Sequence, residues 1–234
     1  MPVTLSASAP IVVFDLDGTL AETAADLGAT LNVVLAREGL PPVDLTRARD
    51  LIGAGARALI ERGFAAAGRD LTRERLDALF RVFLAHYGQH LCDASHLFPG
   101  VLACLDRLRA GGYRLAVCTN KVEDHSVRLL TLLGVADHFA AICGRDTFPY
   151  CKPDPRHLTQ TIARAGGDPA RAVMVGDSRT DIATARAAGI PVVAVPFGYT
   201  DVPVQDLGPD AVIDHFDQLF DAVEAMAGRT RTAA

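Results

Sequence analysis

The feature that most constrains how this chain folds is an alternation. Short apolar runs rich in β-branched residues recur at 11–14, 115–118, 140–143, 172–175 and 192–195, with a weaker sixth at 211–213. Continuous apolar runs of four residues read as strands buried on both faces. Between most of them lie helix-length amphipathic segments, at 101–110, 122–133, 155–165 and 180–188, and Gly166 and Gly189 follow the last two as stop signals. Strand and helix in turn predict an α/β chain, a doubly wound parallel sheet of Rossmann-like form with helices on both faces. Such a sheet places its chemistry where the carboxyl ends of the strands open into loops.

One long stretch breaks the pattern. Residues 21–96 contain no strand-like run but several helical ones, at 24–37, 54–67 and 73–87. A segment that leaves the sheet after its first strand and rejoins it near Phe98-Pro99-Gly100 is expected to form a small α-helical cap domain over the active edge. The predicted organisation is therefore a discontinuous catalytic core, 1–20 with 97–228, a helical cap, 21–96, and a polar, disordered tail, 229–234.

Composition narrows the function classes. With 234 residues, half of them apolar, the chain can bury a full enzyme core. Its formal charge is −5, and no stretch gathers Lys or Arg into a stripe suited to phosphates, so nucleic acid is not an expected partner. No apolar run approaches the length of a membrane span or a signal segment. The five cysteines are odd in number and lack C-x-x-C spacing, which argues against a disulfide framework and for a reducing, cytoplasmic setting.

The hexapeptide Asp15-Leu16-Asp17-Gly18-Thr19-Leu20 follows the first strand directly. Residues i and i+2 of an extended chain share a side, so the two carboxylates are aimed together. That costs energy unless a divalent cation sits between them or one stays protonated as an acid. Gly18 permits a turn that brings backbone N–H groups toward an anion. Three further loops follow later strands: Cys118-Thr119-Asn120-Lys121, then Cys151-Lys152-Pro153-Asp154-Pro155, then Gly176-Asp177-Ser178-Arg179-Thr180-Asp181. Of 23 basic residues, all are arginine except Lys121 and Lys152, and both lie in these loops. Two lysines in an arginine-biased chain mark positions that need a compact ammonium rather than a planar fork.

This set resembles the haloacid dehalogenase-like hydrolase superfamily, and within it is most similar to the phosphoglycolate phosphatases, over nearly the whole chain. The resemblance implies a Mg²⁺-dependent phosphatase that hydrolyses a small phosphate monoester, 2-phosphoglycolate first, through an aspartyl-phosphate. It makes Asp15 the nucleophile, Asp17 the general acid and base, Thr119 the phosphate-binding hydroxyl and Lys152 the charge-neutralising lysine. Asp15, Asp177 and the Asp17 carbonyl would hold the metal, with Asp181 behind them. Leu16, Asp17 and Gly18 through their N–H groups, and Thr119, Asn120 and Lys152, would bind the phosphate.

Substrate choice is expected from the cap, where Gly55 in a Gly-rich loop can approach a small phosphorylated metabolite closely and Arg57 or Lys121 can meet its carboxylate. Glu22 is a further candidate for seating the cap or the metal shell, and equally reads as a first-turn acid at a helix N-terminus. His86 and His90, four apart on a helix, have a spacing able to bind Zn²⁺, although a solvated helix face explains them more simply. A sugar phosphomutase or a pyrophosphatase needs the same core, and a phospho-Asp signalling module uses similar strand-end residues. A monomer and a homodimer both fit the sequence.

Overall fold

The computed structural model describes residues 9–45, 49, 51–52, 55–200 and 202–232, with side chains through 226. The first strand, β1 (Ala9–Phe14), leads through the Asp15 hexapeptide into a two-residue strand, β2 (Ala21–Glu22). Three helices follow: α1 (Ala24–Arg37), α2 (Ala56–Ala66) and α3 (Arg73–Tyr87). The chain returns through β3 (His96–Leu97), α4 (Val101–Ala110), β4 (Arg114–Cys118), α5 (Glu123–Leu132), β5 (Ala141–Cys143) and α6 (Pro155–Arg164). It closes with β6 (Gly167–Gly176), α7 (Arg179–Ala187), β7 (Val192–Ala194), β8 (Ala211–Val212) and α8 (Leu219–Thr232).

Six strands form one parallel sheet in the order β5-β4-β1-β6-β7-β8. The order reverses at β1: later strands are laid down on one side through β4 and β5, then on the other through β6 to β8. That reversal opens a crevice beyond the carboxyl end of β1, which is where such folds place ligands. Phe14 is in register with Val117 on one neighbour and Val175 on the other, so the loops after all three strands start at the same level.

Both faces of the sheet are covered, which is why its strands read as unbroken apolar runs. Val12, Phe14, Val117 and Val175 pack with Leu105, Leu129 and Leu219 on one face, while Ile11, Val13, Cys118 and Met174 pack with Leu158, Ile162 and Ile182 on the other. The inserted helices have a core of their own, built from Leu31, Leu35, Leu59, Phe64, Leu79, Phe83 and Tyr87. They therefore form a distinct layer rather than an extension of the sheet's core.

Three expectations need correction. Residues 21–96 are not free of strands: β2 and β3 pair antiparallel, Ala21 with Leu97 and Glu22 with His96. This ribbon sits at both ends of the helical insert, and two residues per strand are too few to show a period. β6 is longer than the run at 172–175, because the ladder with β1 continues past a register shift to pair Gly167 with Ala9. The tail expected to be disordered from residue 229 is helical in α8 as far as Thr232.

Candidate active site

Asp15 leaves β1 at the reversal point, where its N–H still donates to Val175 O (2.9 Å). Its Oδ1 takes two donors, the Leu16 N–H at 2.7 Å and the Lys152 ammonium at 2.9 Å. Oδ2 has no hydrogen bond among the described residues, so its lone pairs face the cleft. Burial raises the Asp15 carboxyl to about 6, against the opposing pull of Lys152.

Lys152 arrives from the loop before α6, whose N-terminus is capped by Asp154 and opens on Pro155. Its side chain is 1% exposed and also reaches Asp181 Oδ1 at 2.6 Å. Burial alone would lower its pKa, but Asp15 and Asp181 outweigh burial and hold the ammonium charged. Asp181 is fixed in turn by the Ser178 N–H (3.1 Å) and hydroxyl (2.6 Å), the capping box of α7.

Asp177 follows β6 and is buried. Its oxygens accept from the Thr19 hydroxyl at 2.7 Å and the Tyr199 N–H at 2.6 Å. Burial, and then Asp181 and Asp15, push its pKa well above the ordinary carboxylate range. One oxygen from each of Asp15, Asp177 and Asp181 lies within 4.8 Å of the others. Three hard oxygen donors so close, two of them strained toward protonation, are a donor set suited to a hard divalent cation. Gly18 makes this packing possible: its φ is 83°, and a β-carbon there would lie 2.5 Å from Asp177 Oδ2.

Asp17 is held from the other side. Lys121 Nζ lies 2.8 and 3.1 Å from its two oxygens, and the Thr23 hydroxyl donates to Oδ1 at 2.9 Å. The same ammonium donates to the Tyr87 hydroxyl of α3 at 2.8 Å, which ties the helical layer to the core.

The match of a known family to this arrangement covers most of the chain: the model for haloacid dehalogenase-like hydrolases aligns with residues 12–195. The chain belongs to the haloacid dehalogenase-like hydrolases. Among its relatives, a phosphoglycolate phosphatase from Mesorhizobium japonicum is 54% identical over 212 residues, 91% of this chain and 93% of the relative. One from Agrobacterium fabrum is 46% identical over 96% of this chain and 97% of its own. The crystal structure of a predicted phosphoglycolate phosphatase from Haemophilus somnus superposes with a TM-score of 0.84 at 33% identity, covering 93% of this chain and 98% of that one. The hydrolase is thus phosphoglycolate phosphatase-like in sequence over more than nine-tenths of its length.

One cavity in this hydrolase, between core and cap, is lined by Asp15, Asp17, Thr119, Asn120, Lys121 and Lys152 together with Gly55 of the insert. Other expected partners are spent elsewhere. The Leu16 N–H is used on Asp15, and the Gly18 N–H donates to Ala21 O (2.9 Å), so of the three expected amides only that of Asp17 has no bond among the described residues. Asn120 donates its amide to Lys152 O at 3.0 Å, bracing the lysine loop instead of a phosphate. Arg57 turns away from the cavity to Asp77 (2.5 Å) and packs over Phe80, because α2 presents it to α3. Gly53 and Ala54 of the Gly-rich loop lie outside the described residues. His86 bonds Thr30 and His90 bonds Asp93, with the two rings stacked at 4.5 Å.

Tyr199 and His157 position the site without any local sequence signal. Tyr199 bonds Asp177 through its N–H, and its hydroxyl joins Glu22 (2.5 Å) and the Thr23 N–H (2.6 Å), so it connects the metal-type acids to the ribbon. Glu22 also pairs with Arg49.

His157 is fully buried behind Lys152. Its Nδ1 accepts from the Lys152 N–H (3.2 Å), since an amide can only donate, and Nε2 donates to Gly144 O (3.1 Å). Burial, and then the Lys152 charge, lower its pKa to about 4. An unfolded histidine takes its proton near 6.5, so the unfolded chain binds more protons between those values. Its stabilising contribution is therefore complete above about pH 6.5 and is lost as pH falls toward 4, an effect of about 3 kcal/mol. Urea unfolding at pH 7.5 and 4.5 should show this extra loss in the wild type and not in His157→Gln. Equal losses in the two proteins would contradict it.

Proposed function

We propose that this hydrolase is a Mg²⁺-dependent phosphatase of small phosphate monoesters, with 2-phosphoglycolate its preferred substrate, working through an aspartyl-phosphate on Asp15 in the cytoplasm. The observation that carries this reading is the Asp15 carboxylate, with one oxygen pinned by Lys152 and Leu16 and the other open to the cavity. The names borne by its relatives support the substrate, and so does size. The cavity offers about 60 Å³ to the centres of water molecules, room for about four to six waters at about 10–15 Å³ each. A phosphate with a two- or three-carbon tail fits there.

The chemistry follows from charge. A phosphate dianion repels a carboxylate, so attack by Asp15 Oδ2 on phosphorus needs positive charge beside both, and Lys152 supplies part of it. Asp15, Asp177 and the Asp17 carbonyl would hold Mg²⁺, which when bound neutralises the substrate oxygens and the crowded carboxylates. As the P–O bond to the leaving group breaks, the Asp17 carboxyl gives its proton to the departing oxygen. Asp17 then takes a proton from water as that water's oxygen attacks phosphorus, which returns Asp15 as a carboxylate and releases phosphate. Lys121 keeps Asp17 aimed at the cleft, and the Thr119 hydroxyl with the Asp17 N–H holds phosphoryl oxygens in line.

A phosphate-release screen over phosphorylated metabolites, with and without Mg²⁺, tests the reading. Release that requires Mg²⁺ and ranks 2-phosphoglycolate first is expected. A phosphate that stays on the protein with no release would instead mark a signalling module, and no turnover of any monoester would overturn the phosphatase reading.

A further inference from the structure

Most of the positive charge around the cavity is already committed. The Lys152 ammonium is shared by Asp15 and Asp181, and that of Lys121 by Asp17 and Tyr87. Arg145 lines the same cavity and carries no ion pair among the described residues. It follows β5, its N–H donates to Lys121 O at 2.9 Å, and its guanidinium carbon lies 5.8 Å from the centre of the Phe80 ring on α3. The residue is thus anchored on the core while its charged end meets the cap.

A second observation points to a ligand at this place. His125, on α5, is 7% exposed and lines the cavity, with its ring edge-on to Tyr87. Its Nδ1 is buried and has no hydrogen-bond partner. A buried polar atom left unpaired costs roughly 1–3 kcal/mol, so such atoms are usually completed by a ligand or a water. Asn120 Oδ1 is also unpartnered, but it is an acceptor and takes no part in binding an anion. Burial, and then the nearby Lys121, lower the His125 pKa, and the neutral ring has one N–H, which an anion beside Nδ1 would hold on that nitrogen.

The uncommitted cation says what the ligand carries. The phosphoryl group, held next to Asp15, meets the Asp17 amide and the Thr119 hydroxyl, whereas Arg145 lines the same cavity beside Phe80 of α3, so an uncommitted positive charge stands at the cap side for a second anionic group. We propose that Arg145 and His125 Nδ1 form a subsite for a second anionic group on the substrate, a carboxylate, so that the hydrolase selects phosphorylated acids over phosphorylated alcohols of the same length. This rests on the phosphatase reading above and names the residues that set its substrate class.

The test compares 2-phosphoglycolate with 2-hydroxyethyl phosphate, which has the same carbon chain and no carboxylate, in the full-length Mg²⁺-loaded enzyme. Wild type should prefer the acid. Arg145→Gln should reduce the ratio of kcat/KM for the acid to that for the alcohol by about 10- to 100-fold, mostly through KM, as loss of a charge-assisted hydrogen bond predicts. Arg145→Lys should recover part of the ratio, and His125→Phe should lower it in the same direction. An unchanged ratio in Arg145→Gln, or a wild type with no preference for the acid, overturns the carboxylate subsite and leaves the phosphatase reading standing. A wild type inert to both substrates overturns that reading and the subsite with it.

Discussion

Lys152→Ala is expected to cost about 3–5 kcal/mol of stability at pH 7 to 8 and at least about a thousandfold in kcat/KM. The ammonium is the only cation, among the described residues, that touches Asp15 and Asp181. Without it, the buried Asp181 carboxylate and the partly buried Asp15 carboxylate face each other with Asp177 beside them. Asp15 is already raised to about 6 with Lys152 present, and the substitution raises it further. An acid whose folded pKa exceeds its unfolded value binds more protons when folded, so lowering the pH favours the fold. The stability deficit should therefore shrink from pH 8 to pH 5, while activity stays lost at both. Lys152→Arg should not restore turnover, because a site with 1% exposure and two carboxylates within 2.9 Å admits a compact ammonium and not a planar fork. Denaturant titrations across that pH range and steady-state kinetics check both parts. A deficit that grows toward pH 5, or an active Lys152→Arg, would contradict the account.

Asp15→Asn should remove turnover by about ten-thousandfold or more while leaving the fold intact. Both donors that position Asp15 meet Oδ1, and an asparagine carbonyl can accept from the same two. What changes is the other position, where an amide NH₂ replaces the oxygen that would attack phosphorus. Lys152 keeps Asp181 as its counter-ion, so the melting temperature should stay within a few degrees of wild type. Residual turnover above one part in a thousand would show that some other group makes the attack.

The parallel sheet was legible because strands buried on both faces have to be apolar throughout, as Val12 and Val13 illustrate by facing opposite cores. Asp15, Asp177, Asp181 and Lys152 were legible for a related reason: each lies just beyond a strand end or at a helix start, and the order reversal at β1 gathers those ends. Which cation reads the substrate was not legible. Arg57 and Arg145 look alike in sequence, and only the packing of α2 on α3 commits the former to Asp77. Lys121 was visible as an ammonium in a strand-end loop, but that Asp17 and Tyr87 would both claim it depends on cap and core meeting. The ribbon of β2 and β3 escaped because its pairing joins residues more than 70 positions apart with two residues on each side.

In the proposed mechanism Asp15 itself carries the phosphoryl group during turnover. The most direct measurement is rapid acid quench of the wild-type enzyme with Mg²⁺ and 2-phosphoglycolate, followed by borohydride reduction and peptide mass spectrometry. An acyl phosphate on Asp15 would be reduced to homoserine at that position, in an amount that rises and falls with turnover and is absent from Asp15→Asn. Full turnover with Asp15 unmodified at every quench time, or with the phosphoryl group on another residue, would contradict the account.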